Sequence, residues 1–467
     1  MSFSNYIAGG VSMNFEFSYP DIIKQCNTMA YLNVVSFCLL SGCGNIEMPH
    51  EQELNQIYKL LKGEHSHKMP KNIVFMSSLY KRCLPAYAAI PDTTYDFKCF
   101  RWVDKKTKRV IEPNVLAHSI CAMTSLIPAI QKGEIQLDNK DFIAYCLGVS
   151  SIKQARFLVD FLKLGDFYYA GEDTGDNAYG EYKIVINNEN PDIRTQFYAA
   201  EALSSVVRLI SDNEQYSKEP LSKLEKGLEI LPIICENVIE NINDISSRDL
   251  SVICLSLLAT LEHTVLYKEI AYNTVNAMGI ELCERLAHTG DISRNMSNDS
   301  SSSFVTLCNC MNCLIKLYDV NCISIYEASY LKLYDRIDSY WDRSGGLFIT
   351  SSKSKQKYSF KDISAVLATL RTLRSCLTEP DLYMHVDRQL SSFYSSAIIS
   401  SKLFNNQFYP ILQDGKLELH NLGSSEKDIA PVFMEGFEVK VNKKKYYCEP
   451  GVFEAEEILL GCRYLLY

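Results

Sequence analysis

The stretch 325–348, IYEASYLKLYDRIDSYWDRSGGLF, and the segment 357–373 that follows it, KYSFKDISAVLATLRTL, decide the fold. Tyr326, Tyr330, Leu333, Tyr334, Ile337 and Trp341 recur at helical spacing, and Glu327, Lys332, Asp335, Arg336 and Asp338 take the other side. One apolar and one polar face describe a helix lying on the outside of a core. Gly345-Gly346 then breaks it. In the second segment Ser359 and Asp362 have capping-box spacing, with Asp in place of the usual Glu. Ile363, Val366, Leu367, Leu370 and Leu373 form the stripe of the helix they start.

The same outer-then-inner logic extends in both directions. Six segments begin with turn or capping residues and continue at helical apolar spacing, near Pro113, Asp192, Ser246, Asn298, Ser359 and Pro450. After Ser246, Leu250 to Leu261 is apolar on more than one face, as an interior helix must be. One-faced partners are expected over about 139–164, 220–239, 268–287 and 382–402. The sequence therefore predicts an all-α protein, an (α/α) toroid of about six helix pairs. Small β-hairpins are expected around Phe100–Val103 with Arg109–Ile111, around Phe437–Val441 with Tyr446–Cys448, and a strand at Tyr182–Ile186. The repeat begins near 111, so residues 1–110 are read as a helical extension and 111–467 as the toroid domain.

A 47% apolar and 22% charged composition suits a globular chain, and the net charge of -9 disfavours nucleic acid as a partner. The 17 cysteines are scattered and odd in number, which reads as reduced thiols and a cytoplasmic protein. Cys308, Cys310 and Cys313 lack the second ligand pair that a zinc site requires. Leu39-Leu40-Ser41-Gly42-Cys43 follows an apolar stretch and looks like a lipoprotein cleavage box. Processing there would anchor Cys43 at the outer face of a bacterial membrane and would be the only membrane contact. The other reading is a buried helix capped by Gly42.

Asp342-Arg343-Ser344-Gly345-Gly346-Leu347-Phe348, with Leu164-Gly165-Asp166-Phe167 as a weaker copy, resembles the repeat of terpenoid cyclases and protein prenyltransferase β-subunits. In those proteins an outer helix ends in a Gly-Gly-aromatic turn. The resemblance implies a toroid with a central cavity from about Glu112 onward. It does not transmit function, since the acidic metal and acid motifs of those enzymes are absent.

In a toroid the inner helices start at one rim of the cavity. Asp192, Asp249 and Asp362 stand at such starts and are the candidate acid–base groups, although N-capping alone also places Asp there. Lys105 and Lys443 lie in basic turns just before inner helices, where an anion could be held. Tyr168 and Tyr169 belong to an acidic, Tyr-rich loop at the same rim and are candidate substrate contacts. His118 and His263, inside inner helices, are either cavity bases or hydrogen-bonded core residues. The sequence offers no metal-ligand set and leaves the cofactor and metal dependence open. The expectation is an enzyme working in the central cavity on a small anionic or isoprenoid-like substrate. The alternatives are a carbohydrate-active hydrolase or lyase, and a non-catalytic binding scaffold.

Overall fold

The computed structural model describes residues 17–39, 43–61, 74–83, 85–87, 100–102, 108–137, 139–175, 182–187, 190–296, 298–350, 355–401, 416–417, 436–443, 445–447 and 453–466. In chain order the helices are α1 (Tyr19–Cys38), α2 (Glu51–Leu61), α3 (Pro113–Gln131), α4 (Lys140–Phe161), α5 (Ile193–Asp212), α6 (Leu221–Gly227) and α7 (Ile230–Glu240). They continue with α8 (Ser247–His263), α9 (Lys268–Glu284), α10 (Phe304–Asn321), α11 (Ser324–Asp338), α12 (Phe360–Cys376), α13 (Pro380–Tyr394) and α14 (Ala455–Leu466). A π-helical stretch, Ser395–Ser400, prolongs α13.

Six of these helices form an inner ring. α3 packs on α5, α5 on α8, α8 on α10, α10 on α12, α12 on α14, and α14 returns to α3. Each has an outer partner: α4 beside α3, α6 and α7 beside α5, α9 beside α8, α11 beside α10, α13 beside α12. The sixth outer partner is α1, which packs against α14 and α3. The segment read as an N-terminal extension thus supplies a ring helix, and the toroid takes its last pair from both ends of the chain.

The burial pattern follows the sequence stripes. On α8, Leu250, Ile253, Cys254 and Leu257 are fully buried, because the helix lies between the outer layer and the ring's axis. On α11 the expected face, Tyr326, Tyr330, Leu333, Tyr334 and Ile337, is buried. Trp341 is half-buried in the hairpin beyond, its ring 4.8 Å from that of Phe348. Caps fix the inner starts. Ser246 accepts from the Asp249 amide at 3.1 Å, and Ser359 and Asp362 complete the capping box.

Three details differ from expectation. The fourth inner helix starts at Phe304, capped by Ser303; Asn298–Ser301 is a strand paired with Ser293–Asn295, since the apolar stripe begins only at Phe304. The last inner helix starts at Ala455 rather than near Pro450. Phe100–Trp102 pairs with Pro85–Tyr87, and Val110–Ile111 pairs with Gly171–Asp173 instead, where Arg109 reaches the buried Asp173 at 2.6 Å.

The Gly turns recur as a structural unit. Gly165, Gly290 and Gly346 take φ of +62, +80 and +64° just after α4, α9 and α11, a conformation that favours glycine. Each turn folds the chain back so that one residue, Tyr168, Ile292 or Phe348, plugs the gap below the outer helix at 1%, 0% and 0% exposure.

Connections sort by rim. Turns from inner to outer helices are short, such as 264–267, 322–323 and 377–379, which forces antiparallel neighbours. The returns 162–192, 285–303, 339–359 and 401–454 are long and carry most of the hairpins. Apart from Lys416–Leu417, which pairs with Gln136–Leu137 at the opposite rim, the paired strands described in these returns gather at the N-terminal rim of the inner ring.

Candidate functional site at the axis of the ring

The axis-facing positions of the inner helices carry charge where a packed ring would carry methyl groups. On α5 they are Arg194, Tyr198, Glu201 and Ser205, spaced as one helical stripe. Midway down the ring, Arg463 of α14 sets the pattern. Its Nη2 donates to Glu201 Oε1 at 2.5 Å, and its Nη1 donates to Nδ1 of His118 at 2.9 Å. Ser256 of α8 donates to Glu201 Oε2 at 2.7 Å. One chain of hydrogen bonds thus joins α8, α5, α14 and α3. Glu201, Arg463 and His118 are 4%, 7% and 0% exposed.

His118 cannot be charged in this setting. Burial, then Arg463 and Lys361, hold its pKa well below the usual imidazole range. Because Nδ1 accepts from Arg463, the ring proton sits on Nε2, which finds no acceptor among the described residues. The imidazole meets the Tyr198 ring edge-on at 4.5 Å, and the Arg463 guanidinium lies 5.8 Å from the centre of that ring.

Above this layer, toward the N-terminal rim, lies a mixed wall. Tyr464, whose hydroxyl donates to Asn309 at 3.2 Å, packs with Ala365 and Ala368 and against half-buried Val305 and Leu460. Beyond it stand Arg194, Lys361 and Glu456. The Glu456 carboxyl is pushed above the usual range, first by burial and then by Glu112, while Lys361, Arg194 and Lys81 oppose the shift. A carboxyl shifted in this direction holds its proton to higher pH than a solvated glutamate does.

The residues expected from sequence are placed as follows. Asp192 caps α5 through the Arg194 amide at 3.1 Å and pairs with the Arg194 guanidinium at 2.9 Å. Asp249 accepts from Ser246 at 2.7 Å and lies 3.5 Å from the same guanidinium. Asp362 is bound in the capping box of α12. All three stand at the N-terminal rim, and Arg194 joins two of them. Tyr168 is buried under α4, its hydroxyl donating to the Gly227 carbonyl at 3.1 Å, so it packs instead of lining a cavity. Tyr169 is half-buried beside it. Lys443 is exposed in the turn after Gly436–Lys440, and Lys105 lies outside the described residues.

Elsewhere, Asp173 turns its carboxylate to Arg109, Tyr80 and the Gly175 amide. Cys308, Cys310 and Cys313 are buried free thiols. Leu40-Ser41-Gly42 lie outside the described residues, whereas Cys43 is buried and disulfide-bonded, a departure from the all-thiol reading. Among the described residues no group of three or more His, Cys, Asp or Glu side chains could hold a metal ion.

Glu201, Arg463 and Glu456 were not singled out by the sequence reading. A signal existed for two of them: Glu201 and Arg463 are lone charges inside otherwise apolar inner stripes, YAAEALSSVV and LLGCRYLL.

Ring closure, parallel inner helices and a polar axis define the molecule as an α/α toroid. It is similar in fold to a D-mannose isomerase, with a TM-score of 0.53 and 10% identity over 90% of this chain and 99% of that one. Weaker likenesses are to a cellobiose 2-epimerase from Bacillus thermoamylovorans, TM-score 0.49 at 9% identity over 89% and 97% of the chains, and to a sugar epimerase from a ruminal bacterium, TM-score 0.49 at 10% identity over 89% and 96%. No protein-family model and no curated protein matches the sequence. The Gly-aromatic turns that resemble terpenoid cyclases are the hairpins under the outer helices, a device of the toroid itself.

Proposed function

We propose that this protein is a carbohydrate-active enzyme that moves protons on a small sugar held at the axis of the toroid. The observation that carries the reading is the buried chain Ser256–Glu201–Arg463–His118. Apolar side chains of similar volume would close the ring with equal or greater stability, so stability does not account for these charges. A deep polar axis suits a ligand rich in hydroxyl groups. An isoprenoid chain would set hydrocarbon against the polar groups of Asn309, Glu201 and Arg463 and could make no hydrogen bond to them. The similarity to the D-mannose isomerase supports the same substrate class as a likeness of fold.

In this reading Glu456 is the catalytic acid–base group and Tyr198 and Arg463 contact the sugar. Glu201, Ser256 and His118 are positioning residues that fix the Arg463 guanidinium. Asp192, Asp249 and Asp362 then build the rim: Asp192 caps α5, Asp362 completes the capping box of α12, Asp249 holds the Ser246 cap of α8, and Asp192 and Asp249 fix Arg194 as it faces the axis.

The test is incubation with a panel of aldoses, ketoses and disaccharides in D2O. Carbon-bound deuterium, seen by NMR, reports isomerase or epimerase chemistry, and new reducing ends report hydrolysis. Either outcome supports the proposal. Absence of both, together with binding of a prenyl diphosphate, would sink it in favour of the isoprenoid reading.

A further inference from the structure

At the N-terminal rim, two of the long returns build a sheet from Lys355–Ser359, Gly436–Lys440 and Lys445–Tyr447, with Gly436–Lys440 as its central strand. One face is apolar: Tyr358, Phe437 and Val439 are buried, and the Tyr358 and Phe437 rings stack at 5.2 Å. Residues two apart on a strand share a face. The other face therefore carries Lys355, Lys357, Glu438, Lys440, Lys445 and Tyr447.

The register sets Lys355 opposite Lys440, and Lys440 opposite Lys445, three ammonium groups in one row about 10 Å across. Like charges directly opposite each other weaken a sheet. Lysines on edge strands ward off pairing with other chains, but Lys440 stands on the central strand, where there is no edge to guard. Glu438 is the one carboxylate that the three strands place on this face among the described residues. It pairs with Lys355 at 2.6 Å, and that hydrogen bond, with Lys357 and Lys440 nearby, holds its carboxyl below the usual range. The Lys440 and Lys445 ammonium groups each lie 5.1 Å from the centre of the Tyr447 ring. Lys443 adds an exposed cation in the turn between the last two strands. On a chain of net charge -9 this is a local field of the opposite sign, and sheet stability does not account for it.

A glycan that bears carboxylate or sulfate groups alternates them with hydroxyls and ring faces. This face alternates in the same way: lysines, then an acceptor in Glu438 and a flat ring in Tyr447. Nucleic acids and anionic bilayers present closely spaced phosphates, and Glu438 would meet those with like charge. Ser359, at the end of the first strand, caps α12, so Lys355 stands about 13 Å from the start of an inner helix.

We infer that this sheet is a docking surface for an anionic glycan chain, one bearing carboxylate or sulfate groups, beside the axial site. The choice of a glycan rests on the sugar reading of the axis; the basic row does not.

The experiment is biolayer interferometry of the full chain on immobilised polygalacturonate and chondroitin sulfate, with dextran as the neutral control. Oligo-dT and phosphatidylserine vesicles are the competing anions. Saturable binding to one or both glycans is expected, and which one binds tells carboxylate from sulfate. Affinity should fall at least roughly tenfold in Lys440→Gln/Lys445→Gln and again at high salt. If that variant melts early by circular dichroism, Lys355→Gln/Lys357→Gln on the neighbouring strand replaces it. The inference is overturned by no binding to either glycan, by equal binding to dextran, by equal binding of the variant, or by tighter binding to oligo-dT or vesicles. Proton exchange on a neutral sugar without glycan binding would sink this inference alone. Glycan binding without exchange or hydrolysis would sink the axial reading alone.

Discussion

Arg463 pairs with Glu201 through one arm of its guanidinium and rests the other on a neutral imidazole. That arrangement has a pH signature. His118 has its pKa lowered from 6.5 by folding, so the unfolded chain takes up a proton that the folded chain refuses. Its contribution to stability is whole above pH 6.5 and is lost as pH falls below that value. Urea melts at pH 7.5 and 5.5 should show the loss, at no more than about 1.4 kcal/mol per pH unit, and the His118→Asn variant should show a smaller slope. Glu456 has the opposite sign: its raised pKa favours the protonated form, which is present at lower pH and lost as pH rises through the folded value. Glu456→Gln is expected to lower turnover on the sugar by about 100-fold or more while leaving the melting temperature at or slightly above that of the parent. A turnover within a factor of a few of the parent would remove Glu456 from the chemistry. At this scale the sequence was only half legible. Asp192, Asp249 and Asp362 announce themselves by positions at helix starts; Asp192 and Asp362 cap there, and Asp249 holds the hydroxyl of the capping Ser246. Glu201 and Arg463 meet only through the ring, 262 residues apart, and no local pattern pairs them.

Helix starts, in contrast, were read from local chemistry. Ser246 and Ser359 are caps in the sequence and caps in the structure, because an N-terminus is satisfied by residues within one turn of it. What the stripe could not give was the partner of each strand, since pairing depends on which long return passes nearby. Closure of the ring also rests on a detail smaller than a stripe. Gly461 of α14 faces Phe360 of α12, and a Cβ there would stand 2.8 Å from two carbons of the Phe360 ring. The Gly461→Ala substitution is expected to cost about 1–3 kcal/mol through this overpacking, measured by urea denaturation. The same change at Gly133, where nothing lies within 4 Å, meets no such clash and is disfavoured only by its φ of +77°. Equal losses at the two positions would mean that backbone strain, and not the α12–α14 contact, dominates.

The six inner helices close a ring, and its sixth pair joins α1 to α14. A chain ending at 454 lacks α14, opens the ring between α12 and α3, and leaves Glu201 without Arg463. Such a truncated chain is expected to lose its cooperative thermal transition and to collect in the insoluble fraction. A soluble product with a normal melt would show that five pairs suffice. Removing residues 1–42 strips the outer cover from α14 and is expected to act in the same direction. The toroid could be read from six repeats, but the use of α1 as the last outer helix could not, because its sequence carries no mark of the repeat it completes.

That join also sets a timetable. α1 precedes every other ring helix in the chain and can meet α3, α4 and α13 before α14 is made. Until α14 follows, the ring is an open crescent between α12 and α3, and Glu201 has the Ser256 hydroxyl but lacks its counter-ion Arg463. The segment Ala455–Leu466 therefore brings the closing contact and the counter-ion of the proposed centre together, so sealing the ring and compensating its charge are one event.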